Sequence, residues 1–284
     1  MADRAPEMFL RHIAAAHNAR LPGERRPFRI GEAAVGWMMP DFARAFGRAM
    51  DLRPDGDGDG GITLPQARVP ALADACRSLA RAGWFHWRGE EFDVRAGTQG
   101  AVLARIDRGA VPAFGTISHG VHCNGLVRKA DGLHLWVARR AAHKLLDPGK
   151  LDHIVAGGIS AGMSAWETLI KEAGEEAAVP EPLAAGARLV AHIRYDMERA
   201  EGLRRDLLHC YDLDLPESFT PEPADGEVAA FELWPLAEAY AEVARGDAFK
   251  FNVSLVLIDL FLREGLVRAE DDARRLRAAL AQGL

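Results

Sequence analysis

Apolar residues recurring at three- and four-residue spacing predict helices over residues 9–19, 40–50 and 70–83. In the third, Ala71, Leu72, Ala75, Leu79 and Ala82 share one face before a glycine stop at Gly83. Short β-type runs at 85–87 and 92–94 complete a small α+β unit, expected to occupy residues 1–112. From Gly115 the texture turns to strands. Runs at 120–128 and 133–138 flank the turn Ala130-Asp131-Gly132, a hairpin signal. Further strands are predicted at 151–156, 188–195, 206–213 and 228–234, a helix at 165–178, and two closing helices near 248–264 and 269–280. The second domain is thus expected over residues 113–284, and no internal repeat is evident.

Composition supports a folded enzyme. With 284 residues, 49% hydrophobic and 27% charged, the chain has enough apolar material for one large core or two modest ones. The net charge of −6 argues against nucleic acid as the main partner, and it means that an anionic substrate would need help from a cation. Cys76, Cys123 and Cys210 are far apart and odd in number, which points to reduced thiols rather than a disulfide framework. The longest apolar run, 253–262, is too short to span a bilayer and contains Asp259. Residues 1–29 carry Arg, Glu and His where a signal peptide would be apolar, so no membrane partner and cytoplasmic residence are expected.

The segment 157–179, GGISAGMSAWETLIKEAGEEAAV, holds the candidate chemistry. On a helix from Ala165, the roughly 100° advance per residue gathers Trp166, Leu169, Ile170, Ala173 and Ala177 on one side. Glu172, Glu175 and Glu176 are expected on the other. Like charges at these spacings repel by a few tenths of a kcal/mol per pair, so the cluster gains nothing unless a cation sits among them. A hard divalent ion with oxygen ligands fits; so does the plainer reading of a solvated acidic helix face.

In its full context this stretch resembles the Nudix box, G-x5-E-x7-R-E-U-x-E-E-x-G-U, with U an aliphatic residue. Gly157, Glu172, Glu175, Glu176 and Val179 match; Met163, Lys171, Ala173 and Ala178 depart, and Gly174 lies inside the helix, where it is either tolerated or allows close packing. The flanking strings GVHCNG at 120–125, LDHIVAGG at 151–158, DGEV at 225–228 and FKFN at 249–252 resemble one Nudix branch. It is the two-domain branch that includes the Nudix part of fungal thiamin pyrophosphokinase and plant chloroplast relatives; its members also lack the first Glu of the box. Trp87-Arg88-Gly89-Glu90 resembles a signature of that branch's N-terminal domain, and the likeness spans about residues 37–266. The resemblance implies an α+β protein: a Nudix α/β/α sandwich with a mixed sheet, preceded by a small α+β domain.

It also implies a site. Glu172, Glu175 and Glu176, with the Gly157 carbonyl, would hold Mg²⁺, with Mn²⁺ the other candidate; Lys171 would orient a glutamate, less rigidly than Arg does. The general base is one of these glutamates or Glu227. His122, Asn124, Asp152, Lys250 and Asn252 are expected near a small-molecule diphosphate substrate, while Arg194, Tyr195 and His209 are weaker candidates. Plainer readings stand beside these: His122 as an ordinary strand histidine, Asn252 as a helix cap, Phe249 and Phe251 as core rather than stacking platform. Pairing of two chains as a homodimer is left open.

Residues 55–62, DGDGDGGI, also match the first eight positions of an EF-hand calcium loop. Position twelve is Gln66 rather than a bidentate Glu, and Pro65 is awkward for a following helix, so an Asp/Gly surface turn is the competing reading. The leading functional expectation is Mg²⁺-dependent cleavage of a diphosphate linkage, in thiamin diphosphate, a damaged analogue or another nucleoside-diphosphate derivative. The alternative is a degenerate module that binds such a ligand without turnover.

Overall fold

The structure is a computed structural model that describes residues 5–55 and 60–282; residues 56–59, the centre of the calcium-loop motif, lie outside the described residues. Asp55, at the edge of that motif, is already engaged by the Thr63 hydroxyl at 2.7 Å and by Arg29 at 3.6 Å.

The chain opens with α1 (Ala5–Ala16), then β1 (Arg26–Ile30) and β2 (Ala33–Met38), which pair antiparallel. Helix α2 (Pro40–Ala49) follows, and β3 (Ile62–Leu64) joins β1 in parallel to make a three-stranded sheet. A 3-10 segment, Gln66–Ala71, leads into α3 (Leu72–Arg81), so the helix starts two residues later than predicted: Pro70 lacks the N–H that an α-helical turn requires. The hairpin of β4 (Glu91–Arg95) and β5 (Val102–Asp107) and the short α4 (Val111–Phe114) complete this part. Its core is aromatic, with Phe46 and Phe42 meeting Phe114 edge to face at 5.0 and 4.9 Å.

The strand predicted at 85–87 is not formed. The backbone N–H groups that follow it, from Arg88 and Gly89, donate instead to the buried Asp107 carboxylate. Strands β1, β2, β3 and β5 were not predicted; they are short, carry Pro27 and Gly36 inside them, and alternate too weakly to register as period two.

The larger sheet is built from β6 (Ile117–Lys129), β7 (Gly132–Arg140), β8 (Leu151–Asp152), β9 (Val155–Gly158), β10 (Arg188–Arg199), β11 (Gly202–Asp214) and β12 (Val228–Pro235). Helix α5 (Ala165–Ala177) and the short α6 (Glu181–Ala184) come between β9 and β10; α7 (Leu236–Arg245), α8 (Phe251–Arg263) and α9 (Glu270–Leu280) end the chain. The strand order is β10-β11-β6-β7-β12, with β11 parallel to β6 and the other pairs antiparallel, which is the mixed sheet expected. Odd-numbered residues of β6 such as Val121, Cys123 and Val127 pack with Leu169, Ala173 and Ala177 of α5. Leu126 points the other way, into a core made by α7, α8 and α9. That core also takes in Phe9 and Ile13 of α1.

The sheet opens where the site lies. Strands β6 and β7 pair only from Gly125 to Lys129; beyond that they diverge, β9 pairing with β6 and β8 with β7. The single strand predicted at 151–156 is therefore split at His153 and Ile154, which lie between the two short strands.

Two positions of the box test how well local backbone matches sequence. A Cβ at Gly174 would meet no atom within 4 Å, so this glycine is tolerated rather than required. Ala178 caps α5 at φ 50°, a left-handed conformation that favours glycine. Gly174→Ala and Ala178→Gly are each expected to raise stability by about 1 kcal/mol, read as a shifted denaturant midpoint at unchanged slope.

Candidate active site

Helix α5 starts at a capping box that sequence reading missed: Ser164 Oγ accepts from Glu167 N at 3.1 Å, and Ser164 N donates to Glu167 Oε2 at 2.8 Å. Its apolar face then rests on β9 and β6, and this fixes where the three glutamates go. They do not share one solvent face. Glu175 is exposed, Glu172 is mostly covered and Glu176 is buried, because residues 172 and 176 flank Leu169, Ala173 and Ala177 on the helix surface. Trp166, expected on the apolar face, is 42% exposed.

Glu172 lies against Gly157 so closely that a Cβ there would stand 2.7 Å from its Cγ. Glycine at 157 is what admits the carboxylate. Ala156 N donates to Glu176 Oε2 at 2.9 Å. Burial pushes the Glu176 carboxyl well above its ordinary range, and the carboxylates of Asp152, Glu172 and Glu227 add to the push against that one backbone N–H. Burial also raises Glu172, opposed by Lys171. Lys171 Nζ binds Glu175 Oε2 at 2.6 Å and reaches Glu172 Oε1 at 3.4 Å, bridging the two more exposed glutamates.

The opposite wall of a small cleft beside Glu176 and Ala156 is formed by Arg140, Asp152, His153, Glu227 and Val228. Burial would raise Glu227, but an ion pair with Lys144 outweighs it and holds the side chain as a carboxylate. Asp152 binds Arg140 at 2.7 Å and Lys250 at 3.5 Å. Lys250 is placed there by backbone pairing, its N–H donating to Leu151 O at 2.9 Å. His122 sits beside His153, their Nδ1 atoms 2.9 Å apart.

The other candidates go elsewhere. Asn124 is buried along β6 and gives its amide to Asp212, which carries Arg263 at 2.5 Å. Asn252 does not cap α8: Lys250 occupies the cap position, and Asn252 lies buried in the first turn, donating to His122 Nε2 at 3.3 Å and to the Tyr195 oxygen at 3.4 Å. Phe249 is core, edge-on to Trp234, whereas Phe251 lies between Tyr195 and the guanidiniums of Arg199 and Arg204. His209 bridges His119 and His192, and Arg194 pairs with Asp196. Sequence reasoning missed Arg140, Lys144 and His153. Only His153 carried a signal, as the third letter of the LDHIVAGG string.

Comparison with known proteins gives this constellation a family. Residues 8–118 match a domain of unknown function, DUF4743, and residues 119–254 match the NUDIX domain. Nudix hydrolase 24, chloroplastic, of Arabidopsis thaliana is 37% identical over 268 residues, covering 90% of this chain and 73% of the relative. Nudix hydrolase 20, chloroplastic, of the same plant is 36% identical over 262 residues, covering 87% and 70%. The chain belongs to the Nudix family. As such it is a hydrolase acting on phosphoric anhydride bonds, in a family that generally uses divalent metals. Among solved structures, DR0079 from Deinococcus radiodurans is 24% identical, covers 59% of this chain and 97% of its own, and superposes with a TM-score of 0.46.

One expectation falls. Cytoplasmic residence is overturned by the two plant relatives, both described as chloroplastic; the composition of a globular enzyme does not distinguish one aqueous compartment from another. Among the described residues no helix is long and apolar enough to cross a membrane.

The residues of the Nudix box fit a divalent cation. Among the described residues Glu176 is a buried carboxylate facing further carboxylates with a single backbone N–H for support, a charge imbalance that an oxygen-liganded cation corrects. A second set, His122, Asp152 and His153, has ligand atoms within 4.8 Å of one another. Its single carboxylate is already matched by Arg140 and Lys250, so it has no negative charge to spare.

Proposed function

We propose that the chain cleaves the diphosphate linkage of a small molecule with the help of Mg²⁺ held by Glu172, Glu175, Glu176 and the Gly157 carbonyl. The observation that carries this reading is the buried Glu176, grouped with Glu172 and Glu227 beside the strand that ends in Gly157-Gly158. When bound, the ion neutralises phosphate charge and lowers the pKa of a water molecule. Lys171 keeps Glu175 and Glu172 oriented. Water attacks phosphorus, its proton passes to a carboxylate, and the bond to the bridging oxygen breaks, releasing two phosphate products. Glu227 is the candidate acceptor of that proton, because Lys144 keeps it ionised at the rim of the cleft. Arg140 brings positive charge to the opposite wall, and Lys250 adds to it from behind through its ion pair with Asp152, which suits an anionic substrate.

For the substrate we propose a thiamin-diphosphate-like compound, on the strength of the GVHCNG, LDHIVAGG and FKFN strings. The test is phosphate release from thiamin diphosphate, its oxidised forms, ADP-ribose and other nucleoside diphosphate derivatives. Turnover is expected with Mg²⁺ and is expected to vanish with a chelator. Undiminished turnover in the chelator would sink the metal assignment, and saturable binding without any turnover would favour a binding module.

A further inference from the structure

Behind the cleft runs a chain of buried polar groups whose hydrogen-bond directions are all fixed by its far end. Asp206 is buried, and although burial would raise it, the Arg204 guanidinium and the Ser118 hydroxyl keep it a carboxylate. A carboxylate only accepts, so the Tyr195 hydroxyl spends its proton on Asp206, and its oxygen must in turn accept. Asn252 Nδ2 supplies that donor at 3.4 Å and gives its second hydrogen to His122 Nε2 at 3.3 Å. The reverse amide orientation would set Oδ1 against an oxygen with no hydrogen to offer. With Nε2 accepting, neutral His122 carries its proton on Nδ1 and donates it to His153 Nδ1 at 2.9 Å. His153 is then left with its proton on Nε2, in a side chain only 3% exposed, and among the described residues that nitrogen has no protein partner. His153 lines the same cleft as Glu176 and Glu227.

We propose that His153 presents Nε2–H to an anionic phosphate oxygen of the substrate, and that the Asp206–Tyr195–Asn252–His122 relay sets this tautomer. The inference rests on the diphosphate reading above and adds a residue to it. A buried donor without a partner costs about 1–3 kcal/mol, so the group is favoured to be satisfied by ligand. Burial lowers both imidazoles, His153 to about 4, so at neutral pH each offers one proton and the direction of the relay is single-valued. The pair is therefore read as a hydrogen bond rather than as metal ligands. In this relay His122, Tyr195 and Asn252 are positioning residues; His153 alone meets the substrate.

Three variants of the full chain test this. His153→Gln keeps an N–H at nearly the same reach and is expected to hold kcat/KM within about tenfold. His153→Leu removes it and is expected to lose about 10²–10³-fold, the usual cost of one such donor. Asn252→Asp replaces a donor by an acceptor, reverses both imidazoles, and turns a lone pair toward the phosphate. It is expected to match His153→Leu although His153 is intact. Nitrogen-15 NMR of the imidazoles at pH 7.5 reads the tautomer independently of turnover: His153 protonated on Nε2 in the parent chain and on Nδ1 in Asn252→Asp. Inorganic pyrophosphate with Mg²⁺ is expected to shift the parent Nε2 resonance. Parent His153 protonated on Nδ1, equal losses in the Gln and Leu variants, or an Nε2 resonance indifferent to pyrophosphate would each overturn the inference. Failure to hydrolyse any diphosphate, with the tautomer and the pyrophosphate shift as expected, would count against the substrate reading alone.

Discussion

Glu176→Gln is expected to abolish most of the activity and, in a chelator, to make the protein more stable than its parent. Both effects have one cause. The ionised side chain is buried beside Asp152, Glu172 and Glu227 with one backbone N–H as partner, so without a cation it opposes folding. Its pKa is raised in the folded state, which means that stability is greatest while the group is protonated and falls as pH rises through the unfolded value toward the folded one. Gln keeps an oxygen for Ala156 N and discards the charge. A gain in the range of about 0.5–2 kcal/mol at pH 7.5 is typical of relieving such a functional strain. The same change removes a charged ligand of the proposed cation, and a loss of about 3–5 kcal/mol in transition-state stabilisation corresponds to roughly 10²–10⁴-fold in rate. With Mg²⁺ the order of stabilities is expected to reverse, since only the parent gains the binding free energy of the ion. Thermal unfolding in chelator and in a Mg²⁺ series checks this; a variant less stable than the parent in both conditions would show Glu176 to be a structural group.

How much of this was legible in the sequence follows from the range of each signal. The helix at 165–178, the β6–β7 hairpin and the long β11 were readable because their pattern is complete within a dozen residues. The apolar face of α1 was also readable, but amphipathicity does not name a partner, and Phe9 and Ile13 pack against the C-terminal helices rather than the adjacent sheet. Helix α7 escaped notice because its buried side holds only Leu236, Ala239 and Val243, with small alanines diluting the period. At the site, spacing found Glu172, Glu175 and Glu176 but could not rank them. A helical wheel separates polar from apolar residues; it does not say that a glutamate at the border will be closed over by a strand ending in Gly157-Gly158. Arg140 was invisible for a different reason. Twelve residues separate Arg140 from Asp152, and only the divergence of β6 and β7 brings them together.

Asp152 shows what that meeting costs and supplies. Its carboxylate is held well below the usual range despite full burial, by Lys250 foremost and also by Arg140. Asp152→Asn leaves two buried cations facing a neutral amide, and removing one partner of such a group costs about 3–5 kcal/mol. The loss is expected to fall on the junction it ties, where Lys250 N–H bonds to Leu151 O and α8 begins. Hydrogen exchange should therefore rise first in the opening turn of α8 and in β8. Lys250→Met in the same chain removes one orphaned cation; the double variant is expected to be more stable than Asp152→Asn alone, although each single change destabilises. Arg140 needs no such rescue because the carbonyls of Leu146 and Asp147 still accept from its guanidinium. Acid should act as the mutation does. The parent loses this contribution as pH falls below the ordinary aspartate range, whereas Asp152→Asn, with no carboxylate to protonate, should show a shallower acid limb in its denaturant midpoint. Equal acid limbs, or a double variant no better than the single one, would mean that Lys250 and Asp152 stabilise the fold independently and that their contact at 3.5 Å is incidental.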